Sequence, residues 1–270
     1  MRMHRVIAGG IGFTLFFGAG CSTAPITGRH QLSLVGAGQE TQLGISEFDK
    51  LKESTPISHD PAANELVQKV GRRIATAAAK DLPDAQWEFV VFDSKEANAF
   101  CLPGGKVGVY TGILPIAKDE AGLATVLGHE VAHAAAHHGA ERMSDQMAAQ
   151  AGGQLLGVVL STSDPRVQSM ASLAYPTVAQ VGMLLPYSRK QESEADHIGL
   201  IYMARAGYDP HAAVQFWQRF ADYNKSQGGS SGFAFLRTHP LDEVRIKQLE
   251  SWLPEATAQY NPGVISGTAK

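Results

Sequence analysis

Apolar residues recur at helical spacing along the first third of the chain. Between residues 61 and 80 they stand three to four positions apart, as at Leu66, Val70, Ile74 and Ala78. This period predicts a helix with one buried face. Asp60 before Pro61 suits the cap and first turn of that helix. A similar pattern predicts an earlier helix from Gln39 to about Lys52.

Between residues 87 and 114 the pattern changes from helical spacing to alternation. "WEFVVF" (87–92) is aromatic and β-branched, which predicts a strand. "NAFCLPGGKVGVYTGIL" (98–114) predicts a β-hairpin, because its Pro-Gly-Gly at 103–105 separates two alternating runs. These stretches predict a small antiparallel sheet.

Helical spacing returns after this sheet. Helices are predicted at 119–146, 188–207, 211–225 and 239–253. Helices, then a short sheet, then more helices predict an α+β fold that is mainly helical. With 270 residues, 44% of them hydrophobic, the chain is long enough for a single domain with a sizeable core.

The stretch "VLGHEVAHAAAHHG" (126–139) carries candidate metal chemistry. His129 and His133 are four positions apart, so both imidazoles lie on one helix face and can reach one ion at about 2.0–2.1 Å. Glu130 lies beside that face, where it can reach a metal-bound water without ligating. This is the H-E-x-x-H spacing of zinc peptidases, although the motif alone can arise by chance.

Two histidines leave a tetrahedral zinc short of one protein ligand. The extended metzincin pattern is excluded, because it needs glycine and histidine where Ala136 and Gly139 stand. Glu192 and Asp196 are four positions apart on a later helix. One carboxylate could ligate the metal while the other accepts a hydrogen bond from a ligand imidazole. Glu194 is rotated about 200° from Glu192 and is predicted to face solvent.

"GHEVAHAAAHHGAERMS", "SRKQESEADHIG", "NAFCLPGGKVGVYTGIL" and "THPLDEVRI" together resemble the HtpX and CAAX-prenyl-protease family of zinc metallopeptidases, peptidase family M48. The resemblance spans roughly residues 25–253 and is greatest with soluble bacterial lipoprotein members, without the tetratricopeptide array that some of them carry. It implies a zincin-like (gluzincin) fold and one zinc ion per chain. The zinc ligands of the family map onto His129, His133 and Glu192, its catalytic glutamate onto Glu130, and the acid behind a ligand onto Asp196.

The resemblance also implies peptide-bond hydrolysis, with Glu130 as the general base. A His-Pro motif of the family maps onto His239, which we interpret as a donor to the transition-state oxyanion, with Arg245 as the alternative. Two other interpretations of His239 are a helix cap and a zinc ligand that keeps the resting enzyme inactive. The edge of the hairpin, at Asn98 and Ala99, is predicted to pair with extended substrate, unless the hairpin is merely structural.

The N-terminus predicts the compartment. "MRMHRVIAGGIGFTLFFGAGCSTAP" has the order of a secretory signal peptide, and the small residues before Cys21 resemble a bacterial lipoprotein signal in which that cysteine is lipidated. Gly18 departs from the leucine usual at that position. We expect an outer-membrane lipoprotein on the periplasmic face, and the alternatives are plain secretion and an N-terminal membrane anchor. The predicted segments are a signal peptide at 1–20, a tether at 21–38, one metallopeptidase domain at 39–255 and a flexible tail at 256–270.

The charge of the chain limits the classes of partner that it can bind. A net charge of −3 without a long basic run argues against nucleic-acid binding. Expected partners are unfolded or misassembled envelope proteins, the membrane surface reached by an N-terminal lipid, and the outer-membrane assembly machinery. Two functions are alternatives to that of a zinc endopeptidase. One is a chaperone-like lipoprotein that binds its clients without cleaving them, and the other is a helical lipoprotein without metal. Cys101 is predicted to be a buried thiol, with a nucleophile as the alternative. The nearly uncharged segment 148–186 is predicted to cover the active site, with contact to lipid or a membrane partner as the alternative.

Overall fold

The structure is a computed structural model that describes residues 20–180, 184–226, 235, 239 and 243–263. Its N-terminal half contains β1 (Gly20–Thr23), β2 (His30–Ser33), α1 (Ala37–Ser54), α2 (Pro61–Ala78), β3 (Glu88–Phe92), β4 (Ala99–Leu102) and β5 (Lys106–Tyr110). After a 3₁₀ turn at Thr111–Ile113 come α3 (Leu114–Ala117), α4 (Glu120–Ala135), α5 (His138–Val159), α6 (Pro165–Ala179), α7 (Leu185–Arg205), α8 (His211–Ser226) and α9 (Glu243–Ala258). The predicted fold, mainly helical with a small sheet, is confirmed. No helix within the described ranges is long and apolar enough to cross a membrane.

The central sheet has the strand order β3-β5-β4. β4 and β5 form the predicted antiparallel hairpin, with Ala99 opposite Val109. Its turn uses Gly104 and Gly105 at φ of +86° and +80°, which glycine adopts without a steric penalty. β3 pairs with β5 in parallel, so the sheet is mixed rather than wholly antiparallel. β4 therefore forms one edge of this sheet.

The buried helices α4 and α7 cross at a pair of glycines. A Cβ atom at Gly128 would lie 2.8 Å from the carbonyl oxygen of Gly199, closer than real Cβ contacts. The absence of side chains therefore lets the two backbones touch. This crossing places the first half of α7 against the H-E-x-x-H turn of α4.

A break at residues 136–137 divides the helix that was predicted to run from 119 to 146. His137 has φ 53° and ψ 33°, in the left-handed region, and a separate helix, α5, starts at His138. The His137 ring compensates for this strained backbone, because its Nδ1 lies 2.7 Å from Glu40 Oε2. Alanine and histidine are ordinary helix residues, so the local pattern gave no sign of the break.

The predicted tether at 21–38 is instead an ordered β-hairpin. β1 and β2 pair in antiparallel fashion, and the Leu34 backbone N–H donates to Ser144 Oγ at 2.9 Å. Gln31 Nε2 donates to the Ala136 carbonyl oxygen at 2.7 Å. These partners are distant in sequence, so a Ser-, Thr- and Gly-rich composition could not reveal them. The predicted signal peptide lies outside the described residues except for Gly20.

Candidate metal centre and active site

α4 and α7 bring the predicted ligands together in the interior of the protein. His129 and His133 project from α4 and Glu192 from α7, and all three are buried. The ring atoms His129 Nε2 and His133 Nε2 are 3.1 Å apart, and Glu192 Oε1 lies 3.4 Å from His133 Nε2. The two helices that the sequence proposed as partners therefore do meet at one point.

His239 completes this cluster. Its Nδ1 lies 3.2 Å from His129 Nε2 and 3.0 Å from Glu192 Oε2. One potential ligand atom from each of the four residues lies within 4.8 Å of all the others. This nitrogen thus stands among the ligand atoms, which favours the interpretation of His239 as a resting-state ligand over that of an oxyanion donor.

The chemistry of the donor set fits zinc. Imidazole nitrogen and carboxylate oxygen are both ordinary zinc ligands, and four such groups match a tetrahedral ion. Glu130 provides a second sign of fit. Its Oε1 is buried and makes no hydrogen bond within the described part of the chain, at a distance of 3.4 Å from His239 Nε2. Such an atom needs a polar partner inside the site, as a general base would have.

Burial shifts the pKa values of the site. Burial raises the pKa of the Glu130 carboxyl above its ordinary value. It lowers the pKa of His133 far below the ordinary value of an imidazole. For His129 burial also acts to lower the pKa, but hydrogen bonds to Asp196 and Glu192 outweigh it and raise the pKa to about 9. A divalent cation at this site must displace that proton when it binds.

Asp196 lies behind His129, as predicted. Its Oδ1 is 3.0 Å from His129 Nδ1, and its carboxylate accepts hydrogen bonds from Arg245 Nε at 2.7 Å and Nη2 at 2.8 Å. The Arg245 guanidinium also lies 4.3 Å from the centre of the Trp217 ring. Arg245 Nη1 also lies 3.4 Å from Glu192 Oε2. Because the guanidinium is paired with both carboxylates and stacked on the Trp217 ring, the arrangement does not favour its predicted role as an alternative oxyanion donor.

The prediction that Glu194 faces solvent is wrong. The side chain is buried, its Oε2 lies 2.9 Å from His138 Nε2, and it accepts a hydrogen bond from Arg29 Nε at 2.8 Å. The helical rotation did place Glu194 on a different face from Glu192. That face is covered by α5 and the N-terminal hairpin, whose approach no local pattern indicated.

A cleft of about 670 Å³ lies between the sheet edge and the cluster. Among the residues that line it are Asn98, Ala99, Glu130, His133 and His239. The predicted substrate strand is therefore beside the metal cluster. Cys101 also borders the cleft, but burial raises the pKa of its thiol, so it is poorly suited to act as a nucleophile.

The prediction that segment 148–186 covers the site is not supported by its described part. Residues 148–180 belong to the hairpin of α5 and α6, and none of them lines the cleft. α6 has no buried residue, and the hairpin exposes the apolar side chains Leu155, Val158, Val159, Met170, Leu173 and Val178.

Comparison with known proteins agrees with this geometry. The sequence pattern of Peptidase family M48 matches residues 61–253, which include both α4 and α7. The chain belongs to peptidase family M48. The family assignment made from the motifs is thereby confirmed, and the cluster of three histidines and a glutamate is the candidate site for the zinc of this family.

The relatives come from two settings. The chain is 34% identical over 264 residues to "Mitochondrial metalloendopeptidase OMA1" of Saccharomyces cerevisiae, covering 92% of this chain and 74% of the relative. With the protein of the same name from Schizosaccharomyces pombe the identity is 39% over 190 residues, 70% and 53% of the two chains. The "Beta-barrel assembly-enhancing protease" of Escherichia coli is 28% identical over 233 residues, which cover 85% of this chain and 47% of the relative. This M48 chain thus spans about half the length of the latter two relatives.

Proposed function

We propose that this chain is a zinc-dependent endopeptidase that hydrolyses peptide bonds of unfolded or misassembled proteins. The observation that carries the proposal is the meeting of His129, His133 and Glu192 at a cleft beside the buried carboxylate of Glu130, whose Oε1 makes no hydrogen bond within the described residues. The names of the relatives, which are metalloendopeptidases or proteases, support the same activity.

The protein groups divide the reaction between them. His129, His133 and Glu192 would hold the zinc, which when bound supplies a Lewis acid that lowers the pKa of a water molecule to about 7. Glu130 accepts the proton of the attacking water and later delivers a proton to the leaving amine. Asp196 Oδ1 lies 3.0 Å from His129 Nδ1, where it would hold a proton on that nitrogen and leave Nε2 for the ion.

The edge strand β4 explains how an unfolded substrate could bind. Its first residue, Ala99, and the preceding Asn98 line the cleft next to Glu130, and β4 is an edge strand within the described sheet. An extended peptide can pair with such an edge through its backbone, which makes little demand on its side chains. A folded protein has no free extended segment to offer and would be spared.

Two measurements on the purified protein test the proposal: its zinc content, and cleavage of unfolded casein with and without a chelator. We expect one zinc per chain and cleavage that stops on chelation and returns with added zinc. Zinc without cleavage would favour a chaperone-like protein that only binds its clients. Absence of zinc would contradict the proposed metal site.

We expect His239→Ala to increase casein cleavage. With His239 the cluster offers four protein ligands, and a catalytic zinc needs one position free for water. Removing the imidazole opens that position at all times. The steady-state rate at saturating casein measures the effect, with His211→Ala, an exposed histidine, as the control. A decrease of about 10²–10³-fold would instead identify His239 as an oxyanion donor.

We also propose that the chain is held at the periplasmic face of a bacterial outer membrane, where it takes part in envelope quality control and meets the assembly machinery. The small residues before Cys21 support lipidation there. The relative from Escherichia coli, by its name, acts in β-barrel assembly. Residues 148–180 of the hairpin of α5 and α6 carry only two charged side chains, Asp164 and Arg166, and their exposed apolar side chains agree with a position next to lipid.

Replacement of Cys21 by serine is expected to move the full-length protein from the membrane fraction to the soluble periplasmic fraction. Serine cannot form the thioether that carries the lipid, and more than one acyl chain is needed for stable anchoring. Fractionation followed by immunoblotting measures the distribution, and Ser22→Ala is the control. Retention of the Cys21→Ser protein in the membrane would contradict anchoring by this cysteine.

A further inference from the structure

The face of His133 that points away from the cluster contacts another histidine. His133 Nε2 faces Glu192 and His129, whereas His133 Nδ1 lies 2.8 Å from His138 Nδ1. The other nitrogen of His138, Nε2, lies 2.9 Å from Glu194 Oε2. His138 and Glu194 are both buried, at 0% and 6% exposure, so water does not compete for these contacts.

Zinc ligation would fix every proton in this chain of contacts. If His133 offers the lone pair of Nε2 to a metal, its proton resides on Nδ1 and is donated to His138. His138 Nδ1 must then accept, so its own proton resides on Nε2 and is donated to the Glu194 carboxylate. Both N–H groups point in one direction, from the metal ligand towards the negative charge.

Arg29 holds the charged end of this chain in place. Its Nε donates to Glu194 Oε2 at 2.8 Å, and its Nη1 and Nη2 donate to Glu141 at 2.6 and 2.8 Å. The Thr27 hydroxyl donates to the second oxygen of Glu194. Arg29 and Thr27 belong to the loop between β1 and β2, so the N-terminal hairpin is connected to the metal cluster through Glu194 and His138.

We propose that Arg29, Glu194 and His138 form a positioning relay that orients His133 and strengthens it as a zinc ligand. Asp196 lies directly beside the non-ligating nitrogen of His129. In the relay, Glu194 has the same relation to His133, but the His138 imidazole lies between them. The N-terminal hairpin is then a working part of the metal centre as well as a connection to the membrane. This inference rests on the proposed function, because it assumes that the cluster binds zinc.

The relay predicts weaker zinc binding when the charge of Glu194 is removed. We expect Glu194→Gln to raise the zinc dissociation constant about 10- to 100-fold, the usual loss for a group behind a metal ligand. Arg29→Met should weaken zinc binding by about tenfold or less, since it acts one contact further away, and Arg29→Lys by less than Arg29→Met. Competition with a chromogenic chelator measures these constants on the full chain.

Two further readouts separate positioning from general stability. In Co²⁺-loaded protein, the visible absorption bands should shift in Glu194→Gln and Arg29→Met, because they report on the donor strength of His133. Lys52→Met is the matched control: Lys52 is 26% exposed and paired with Glu88, compared with 25% for Arg29, but lies away from the cluster. It should lower stability without changing the zinc constant or the Co²⁺ spectrum.

The outcomes are distinguishable. If the wild type binds zinc and the folded Arg29→Met and Glu194→Gln proteins bind it equally well with an unchanged Co²⁺ spectrum, the relay is overturned. If Glu194→Gln does not fold, the Arg29 series decides alone, because that side chain is partly exposed. Failure of the wild type itself to bind zinc would overturn the proposed function, whatever the variants do.

Discussion

Glu130→Gln is expected to reduce casein cleavage by about 10²–10⁴-fold while leaving one zinc bound per chain. The amide has nearly the same shape as the carboxylate but cannot take a proton from water at neutral pH. The ligands His129, His133 and Glu192 stay in place, so zinc binding should be preserved. Single-turnover cleavage rates and metal analysis of the same preparation measure the two quantities.

The surface carboxylate Glu47 supplies the control for this experiment. Glu47→Gln makes the same chemical change on a side chain that is 56% exposed and far from the cluster, so it should cleave casein at the wild-type rate. A Glu130→Gln protein that retains the wild-type rate with zinc bound would remove Glu130 from the mechanism. It would also leave the burial of its Oε1, which makes no hydrogen bond with any residue that the structure describes, without a catalytic explanation.

Glu192→Gln is expected to abolish cleavage by a different route, through loss of the metal. Glu192 is the carboxylate ligand of the set, and its Oε1 and Oε2 face all three histidines. The neutral amide binds zinc more weakly and cannot balance the charge of the ion. We expect zinc affinity to fall by more than the roughly 10- to 100-fold typical of groups that stand behind a ligand.

Equilibrium dialysis against buffered zinc measures that loss, again with Glu47→Gln as the control. Cleavage by Glu192→Gln should return in part at high zinc concentration, whereas cleavage by Glu130→Gln should not. This difference separates a ligand from a general base. Unchanged zinc affinity in folded Glu192→Gln protein would mean that this carboxylate does not ligate the ion.

The local pattern was sufficient for most of the helices, for the three strands of the central sheet and for the candidate ligands that follow helical spacing. His129 and His133 could be paired because four residues make about one turn, and Glu192 with Asp196 for the same reason. The match to the family then confirmed the type of fold. These predictions rest on residue spacing within a single helix or on continuous sequence motifs.

Contacts between distant segments could not be predicted in this way. The hydrogen bond from Arg29 to Glu194 joins positions 165 residues apart, and no periodicity links a loop to a helix over that distance. The same is true of Leu34 with Ser144, which turned a predicted tether into an ordered hairpin. The left-handed backbone of His137 was also hidden, because it depends on a partner from α1.

The contact of Gly128 with Gly199 limits how this protein can change over evolution. Neither glycine has a side chain that could bind a metal. Together they set the spacing between the helix that bears two imidazoles and the helix that bears the carboxylate. A single methyl group added at either position would separate the donors without altering any of them. Tolerance to substitution should therefore be as low at this crossing as at the ligands themselves, and loss of metal there would arise from altered spacing alone.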